Sequence, residues 1–86
     1  MKEGWRLEHA GGGTMLAYKR RNGQTVVVSE DCVGLYKGEG DVLDLVFYSE
    51  DYLIKIVYWE DFDSDATFSQ EEKEEIEEVY RGVFKR

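Results

Sequence analysis

The 86-residue sequence contains no proline, one cysteine and one histidine. Without proline, its turns must be built by glycine and by short polar residues. The lone Cys32 excludes an internal disulfide, and Cys32 with His9 is too small a set for a zinc site made of Cys and His ligands. Nothing in the sequence predicts that Cys32 and His9 lie within hydrogen-bond reach as a nucleophile and its base, and carboxylate pairs are too abundant to indicate a catalytic site. We therefore expect a protein that is not an enzyme.

Long apolar runs are missing as well. The uninterrupted runs are only a few residues long, such as LVFY at 45–48, whereas a transmembrane helix needs roughly 20 apolar residues. The first ten residues, MKEGWRLEHA, carry charges where a signal peptide would need its apolar region. We expect a cytoplasmic protein with no membrane partner.

Basic residues are scarce in the second half of the chain. The net charge is −8, from 11 basic and 19 acidic residues. Residues 1–37 contain six basic and four acidic side chains, but residues 38–86 contain five basic and fifteen acidic ones. Because such a chain repels phosphate, we expect no direct binding to nucleic acid.

What the chain does contain is enough apolar material for one core. It is 42% hydrophobic and 14% aromatic, and its length suits a single domain over residues 1–86. Strand-like patterns occupy residues 5–9, 15–21, 24–30, 32–37, 42–49 and 52–59. The Asn22-Gly23 pair predicts a two-residue hairpin turn that places Arg21 opposite Gln24.

The segments 42–49 and 52–59 predict a second hairpin centred on Glu50-Asp51. This register gathers one apolar face, formed by Leu43, Leu45, Phe47, Ile54, Ile56 and Tyr58. The opposite face then carries Val46, Tyr48, Leu53, Val57 and Trp59. A face this apolar suits contact with another protein, with a second copy in a homodimer, or with the inside of a barrel.

The end of the chain predicts an amphipathic helix. Ile76, Val79, Tyr80, Val83 and Phe84 recur at helical spacing. Ser69 and Glu72 have the spacing of a capping box at its start. The sequence therefore predicts an α+β fold, in which an antiparallel meander of about five strands packs one face against a C-terminal helix. A small, partly open β-barrel with a helix is the alternative.

The stretch DFDSDATFSQEE, residues 61–72, resembles the calcium loop of EF-hand proteins in its ligand spacing. The matching positions hold Asp61, Asp63, Asp65, Thr67, Ser69 and Glu72. Ala66 stands where the calcium loop requires glycine, and a strand pattern precedes the loop instead of a helix. The same residues are also typical of an acidic loop before a capped helix. We favour the acidic loop and keep a calcium-binding protein as the alternative. No other cofactor is expected.

Acidic side chains crowd the segment 60–78, which has ten acids and one base. The helix glutamates lie off the apolar stripe, so we expect them to face solvent. The sequence therefore predicts an acidic protein-binding module. It would bind the basic surface of a protein that handles nucleic acids. In that role it would act as an inhibitor, an immunity protein or an anti-defence protein. The predicted contact residues are Glu71, Glu74, Glu75, Glu78, Tyr48, Val57 and Trp59.

Overall fold

A computed structural model describes residues 2–85 and shows one antiparallel sheet whose strand order follows the chain. The strands are β1 (Arg6–His9), β2 (Met15–Arg21), β3 (Gln24–Val28), β4 (Cys32–Lys37) and β5 (Leu53–Tyr58). The helices are α1 (Val42–Phe47), α2 (Ser49–Tyr52), α3 (Trp59–Phe62) and α4 (Gln70–Val83). The predicted α+β meander with a C-terminal helix is confirmed. The sheet is open, so the barrel alternative is wrong.

The β2–β3 hairpin has the predicted turn. Asn22 and Gly23 have φ angles of 49° and 79°, both in the left-handed region that a type I′ turn requires. Arg21 lies opposite Gln24 and Tyr18 opposite Val27. The turn residues therefore set the register of the whole hairpin.

The segment predicted as a fifth strand, residues 42–49, is instead helical. The Asp41 carboxylate accepts hydrogen bonds from the backbone N–H groups of Leu43 at 3.0 Å and Asp44 at 3.3 Å, and so caps α1. Val42 and Leu45, three positions apart, are buried, while Phe47 is 70% exposed. A short apolar run fits both the two-residue period of a strand and the 3.6-residue period of a helix, and the cap at Asp41 favours the helix. The strand prediction here was wrong.

With 42–49 helical, β5 pairs with β4, and Val57 lies opposite Val33. The two faces predicted for the second hairpin are therefore not formed. Val57 is buried among the residues that pack under α4, whereas Val46 and Leu53 pack on the other side of the sheet. The outer face on which we based a homodimer does not exist as a single surface.

Two apolar clusters lie on opposite faces of the sheet. The first packs against α3 and α4 and contains Trp5, Ala17, Val26, Val28, Val33, Leu35, Val57, Phe62, Phe68, Ile76 and Val79. The second packs against α1 and contains Leu16, Val27, Tyr36, Val42 and Leu45. Alternate residues of β3 enter alternate clusters, as the two-residue period of a strand requires. The sheet is thus the middle layer of three.

Gly34 makes room for a buried tyrosine in the second cluster. A Cβ at this position would lie 2.6 Å from Cε2 of Tyr36, which is 5% exposed. Burial, with a smaller contribution from Cys32, raises the pKa of Tyr36 above its ordinary value of 10.0. Gly34 therefore serves packing.

No helix within residues 2–85 combines the length and the apolar character needed to cross a bilayer.

Candidate protein-binding surface

Helix α4 begins with the predicted capping box. Ser69 Oγ accepts a hydrogen bond from the Glu72 N–H at 3.1 Å, and the Glu72 carboxylate accepts one from the Ser69 N–H at 3.1 Å. Ile76 and Val79 are each 2% exposed and hold the helix on the first cluster. This orientation decides which glutamates face solvent.

Two of the glutamates face the sheet rather than solvent. Glu75 Oε2 accepts hydrogen bonds from Trp5 Nε1 at 2.6 Å and from Lys19 Nζ at 2.7 Å. Glu72 Oε2 lies 3.0 Å from the Arg21 guanidinium. Lys19 and Arg21 are two apart on β2, while Glu72 and Glu75 are three apart on α4, so each pair lies on one side of its element. The prediction that these two glutamates face solvent was wrong.

The hydrogen bond from Lys19 lowers the pKa of Glu75 below its ordinary value of 4.5. Desolvation acts in the opposite direction, and the Trp5 N–H adds to the lowering. Glu75 thus stays ionised as a tie between α4 and β2. The opposite charges of segments 15–21 and 69–78 were the sequence signal that could have identified this contact.

The outer side of α4 carries glutamates that are exposed. Glu71, Glu74 and Glu78 face solvent. Glu78 lies 3.4 Å from Lys2 Nζ, but its side chain remains 60% exposed. The base within this segment, Lys73, is 8% exposed and donates to the Asp63 carbonyl at 2.9 Å, so its charge points away from the outer side.

The three predicted aromatic and aliphatic contact residues occupy different environments. Tyr48 is 58% exposed, at the end of α1. Trp59 is half-buried, because its Nε1 donates to the Ser29 carbonyl at 3.0 Å and its ring lies 4.2 Å from the Tyr80 ring. Val57 is 4% exposed and faces α4. Tyr48 and part of Trp59 are therefore accessible to a partner, whereas Val57 is not.

A shallow groove combines aromatic rings with carboxylates beside Trp59. It is lined by Glu30, Asp31, Tyr58, Trp59, Glu60 and Tyr80. The acids come from the β3–β4 turn and from the start of α3, which meet here because β4 pairs with β5. Aromatic faces beside carboxylates suit a cationic side chain such as arginine or lysine.

The aspartates of the loop 61–72 make local contacts. Asp61 lies in α3, and its carbonyl accepts from Ser64 Oγ at 3.1 Å. Asp65 accepts from the Thr67 N–H at 2.7 Å and from Thr67 Oγ1 at 3.2 Å. Glu72, the expected bidentate ligand, accepts a hydrogen bond from the Ser69 N–H and forms an ion pair with Arg21. Within residues 2–85, no three His, Cys, Asp or Glu side chains form a group that could hold a metal ion.

We expect the thermal unfolding curve to be the same in EDTA, in millimolar calcium and in millimolar magnesium, because the Asp65 and Glu72 carboxylates already accept local hydrogen bonds and no three acidic side chains of this loop are grouped. Calcium present at 100 times the dissociation constant of such a site would add about 2.7 kcal/mol to the free energy of unfolding, which raises the Tm of a domain this small by about ten degrees or more. Asp61→Asn is the matched variant, since the Asp61 side chain is exposed. A calcium-selective rise in Tm that Asp61→Asn abolishes would contradict the capped-loop interpretation.

Comparisons of this chain with protein-family models, with curated proteins and with solved structures found no match.

Proposed function

We propose that this protein is a non-enzymatic, acidic protein-binding module that engages the basic surface of a nucleic-acid-handling protein. The observation that carries the proposal is the outer side of α4, where Glu71, Glu74 and Glu78 are exposed. The nearest strand cations, Lys19 and Arg21, are paired on the inner side of the helix. The outer negative charge is therefore not cancelled by them, and it would attract a basic surface and speed its encounter.

The spacing of these glutamates favours a surface that otherwise binds a phosphate backbone. At 1.5 Å of rise per residue, Glu71 and Glu78 are separated by about 10 Å along α4. One strand of a DNA duplex rises about 3.4 Å per nucleotide along the helix axis, so this length corresponds to roughly three phosphates of that DNA strand. A row of carboxylates of that length could occupy lysines and arginines that would otherwise contact nucleic acid. Such binding would inhibit the partner by competition.

The aromatic groove supports a partner that presents an arginine or lysine. Tyr58, Trp59 and Tyr80 supply ring surface, while Glu30, Asp31 and Glu60 supply negative charge around it. Arginine suits such a site well, because its planar guanidinium stacks on rings and pairs with carboxylates at its edge. The groove would then provide one specific anchor beside the less specific charge of α4.

The test is a charge reversal on α4. The variant Glu71→Lys/Glu74→Lys/Glu78→Lys is compared with Glu8→Lys/Glu39→Lys/Asp44→Lys, which changes the net charge equally at sites outside α4. Each immobilised protein is used to capture partners from a lysate of the source cells. Every captured protein is then purified, and its binding to labelled nucleic acid is measured by fluorescence anisotropy.

We expect the wild-type protein to displace nucleic acid from its captured partner. The α4 variant should need at least tenfold higher concentrations to do so, and the control variant should act like the wild type. Capture of proteins that do not bind nucleic acid, no capture at all, or equal competition by the α4 variant would each refute the proposal.

A further inference from the structure

The outer edge of β5 is open. In the strand order β1-β2-β3-β4-β5, β5 is terminal, and no strand among residues 2–85 pairs with its far side. The Trp59 N–H donates to the Asp31 carbonyl at 3.3 Å, and the Ser29 N–H to the Cys32 carbonyl at 2.9 Å. Hydrogen-bonded and non-bonded pairs alternate in an antiparallel ladder. Val57 therefore bonds toward β4, while the backbone groups of Ile56 and Tyr58 point outward.

Exposed apolar side chains concentrate at this edge and in the segment that leads to it. Six large hydrophobic side chains are exposed among the described residues, and five of them lie between positions 47 and 58. On β5 itself, Ile54 is 42% exposed and Tyr58 is 53% exposed. Strand β5, LIKIVY, has one charged residue in six, whereas the opposite edge strand β1, RLEH, is mostly polar. Charged residues protect an edge from pairing, so β1 is protected and β5 is much less so.

We propose that the outer edge of β5 binds an extended segment of the partner as a sixth antiparallel or parallel strand, apolar in its middle and basic at both ends. Backbone hydrogen bonds to Ile56 and Tyr58 would hold the segment, and its apolar side chains would cover Ile54 and Tyr58. This inference rests on the proposed function, which makes the partner basic, and it identifies a contact separate from the outer glutamates of α4.

The charges around β5 decide what kind of strand fits. Glu50 and Asp51 precede the strand, and Glu60 and Asp61 follow it. In a two-fold pairing with a second copy, the acids at the start of one β5 would meet those at the end of the other, and like charges would repel. A segment with basic ends meets acids at both ends instead. At the Tyr58 end, the groove with Glu30 and Glu60 would receive one of its cations.

The test uses a synthetic peptide of alternating valine and threonine with two arginines at each end. Binding to the ¹⁵N-labelled protein is followed by amide chemical shifts. We expect a dissociation constant below one millimolar, with the largest shifts at Ile54, Ile56 and Tyr58. Ile54→Lys should weaken binding at least tenfold. Leu7→Lys is the matched control, because Leu7 is 43% exposed on the other edge strand, and it should bind like the wild type.

Two peptide variants test the backbone and charge contributions separately. N-methylation of all the valines or of all the threonines removes the N–H groups on one side of the peptide, so one of the two modified peptides should lose binding. Replacing the arginines with glutamates should abolish binding. Retained binding by both methylated peptides, equal weakening by Leu7→Lys, or no binding at millimolar peptide would each overturn the inference.

Self-association is a further outcome. If sedimentation shows a dimer that Ile54→Lys dissociates, a second copy covers β5 and the inference is overturned.

The α4 charge-reversal variant should bind the peptide as the wild type does, since its substitutions lie on another element. If the peptide does not bind but the protein still displaces nucleic acid in an α4-dependent way, this inference alone is refuted. If the peptide binds but that displacement is not seen, the proposed function alone is refuted.

Discussion

Replacing Phe62 with alanine is expected to lower the free energy of unfolding by about 3–5 kcal/mol. Phe62 is 1% exposed, and its ring lies 5.0 Å from the Trp59 ring and 6.0 Å from the Phe68 ring. Domains of this kind are stable by about 5–15 kcal/mol in total. The variant should therefore unfold at much lower urea, as measured by tryptophan fluorescence and far-UV circular dichroism.

Phe47→Ala is the matched control, because it removes the same atoms from a ring that is 70% exposed. We expect a change of no more than about 0.5 kcal/mol. The pair also tests the helical assignment of residues 42–47. If this segment were the strand that its alternation suggests, Phe47 would be in the core, and both variants would lose several kcal/mol.

Replacing Glu75 with alanine is expected to lower the free energy of unfolding by about 1–2 kcal/mol at neutral pH. The variant leaves Trp5 Nε1 and Lys19 Nζ without their shared acceptor, and hydrogen bonds to a charged group are stronger than neutral ones. Partial exposure of both side chains keeps the loss modest. Glu74→Ala makes the same change one residue earlier, where the glutamate is exposed, and should have little effect.

The effect of Glu75 should depend on pH in one direction. Its pKa in the folded protein is lowered from 4.5, so the folded state favours the ionised carboxylate. The stabilisation is fully present above pH 4.5 and is lost as the pH falls through the lowered value. Urea unfolding from pH 7 downward should show the wild type and Glu75→Ala converging in acid. A difference that stays constant down to the lowest pH would contradict the ionic tie.

The parts of the fold that the sequence predicted are those set by local chemistry. The hairpin follows from Asn22-Gly23, because few other pairs adopt two positive φ angles. The start of α4 follows from Ser69 and Glu72, and its buried side follows from Ile76 and Val79. In each case, residues close in the chain determine the structure, so reading them in order is sufficient.

The errors have two sources, an ambiguous short segment and contacts between distant residues. For α1, the short apolar run fits the periods of both a strand and a helix, and the local signal for the helix is the Asp41 cap. Glu75 could not be placed from its own helix, because its partners Trp5 and Lys19 lie 70 and 56 positions away in the chain. The groove beside Trp59 likewise forms only through the pairing of β4 with β5. The candidate site was therefore predicted in its charge but not in its geometry.

The strand order has a consequence for the speed of folding. Each strand lies beside its neighbour in the chain, so most of the sheet can form by closing short loops, at little entropic cost. Docking of α4 is different, since its hydrogen bonds to Lys19 of β2 and to Trp5 join residues 56 and 70 positions apart. The meander can thus assemble hairpin by hairpin before the acidic helix arrives. In that order, the first cluster is the last part of the interior to exclude water, because α4 completes it.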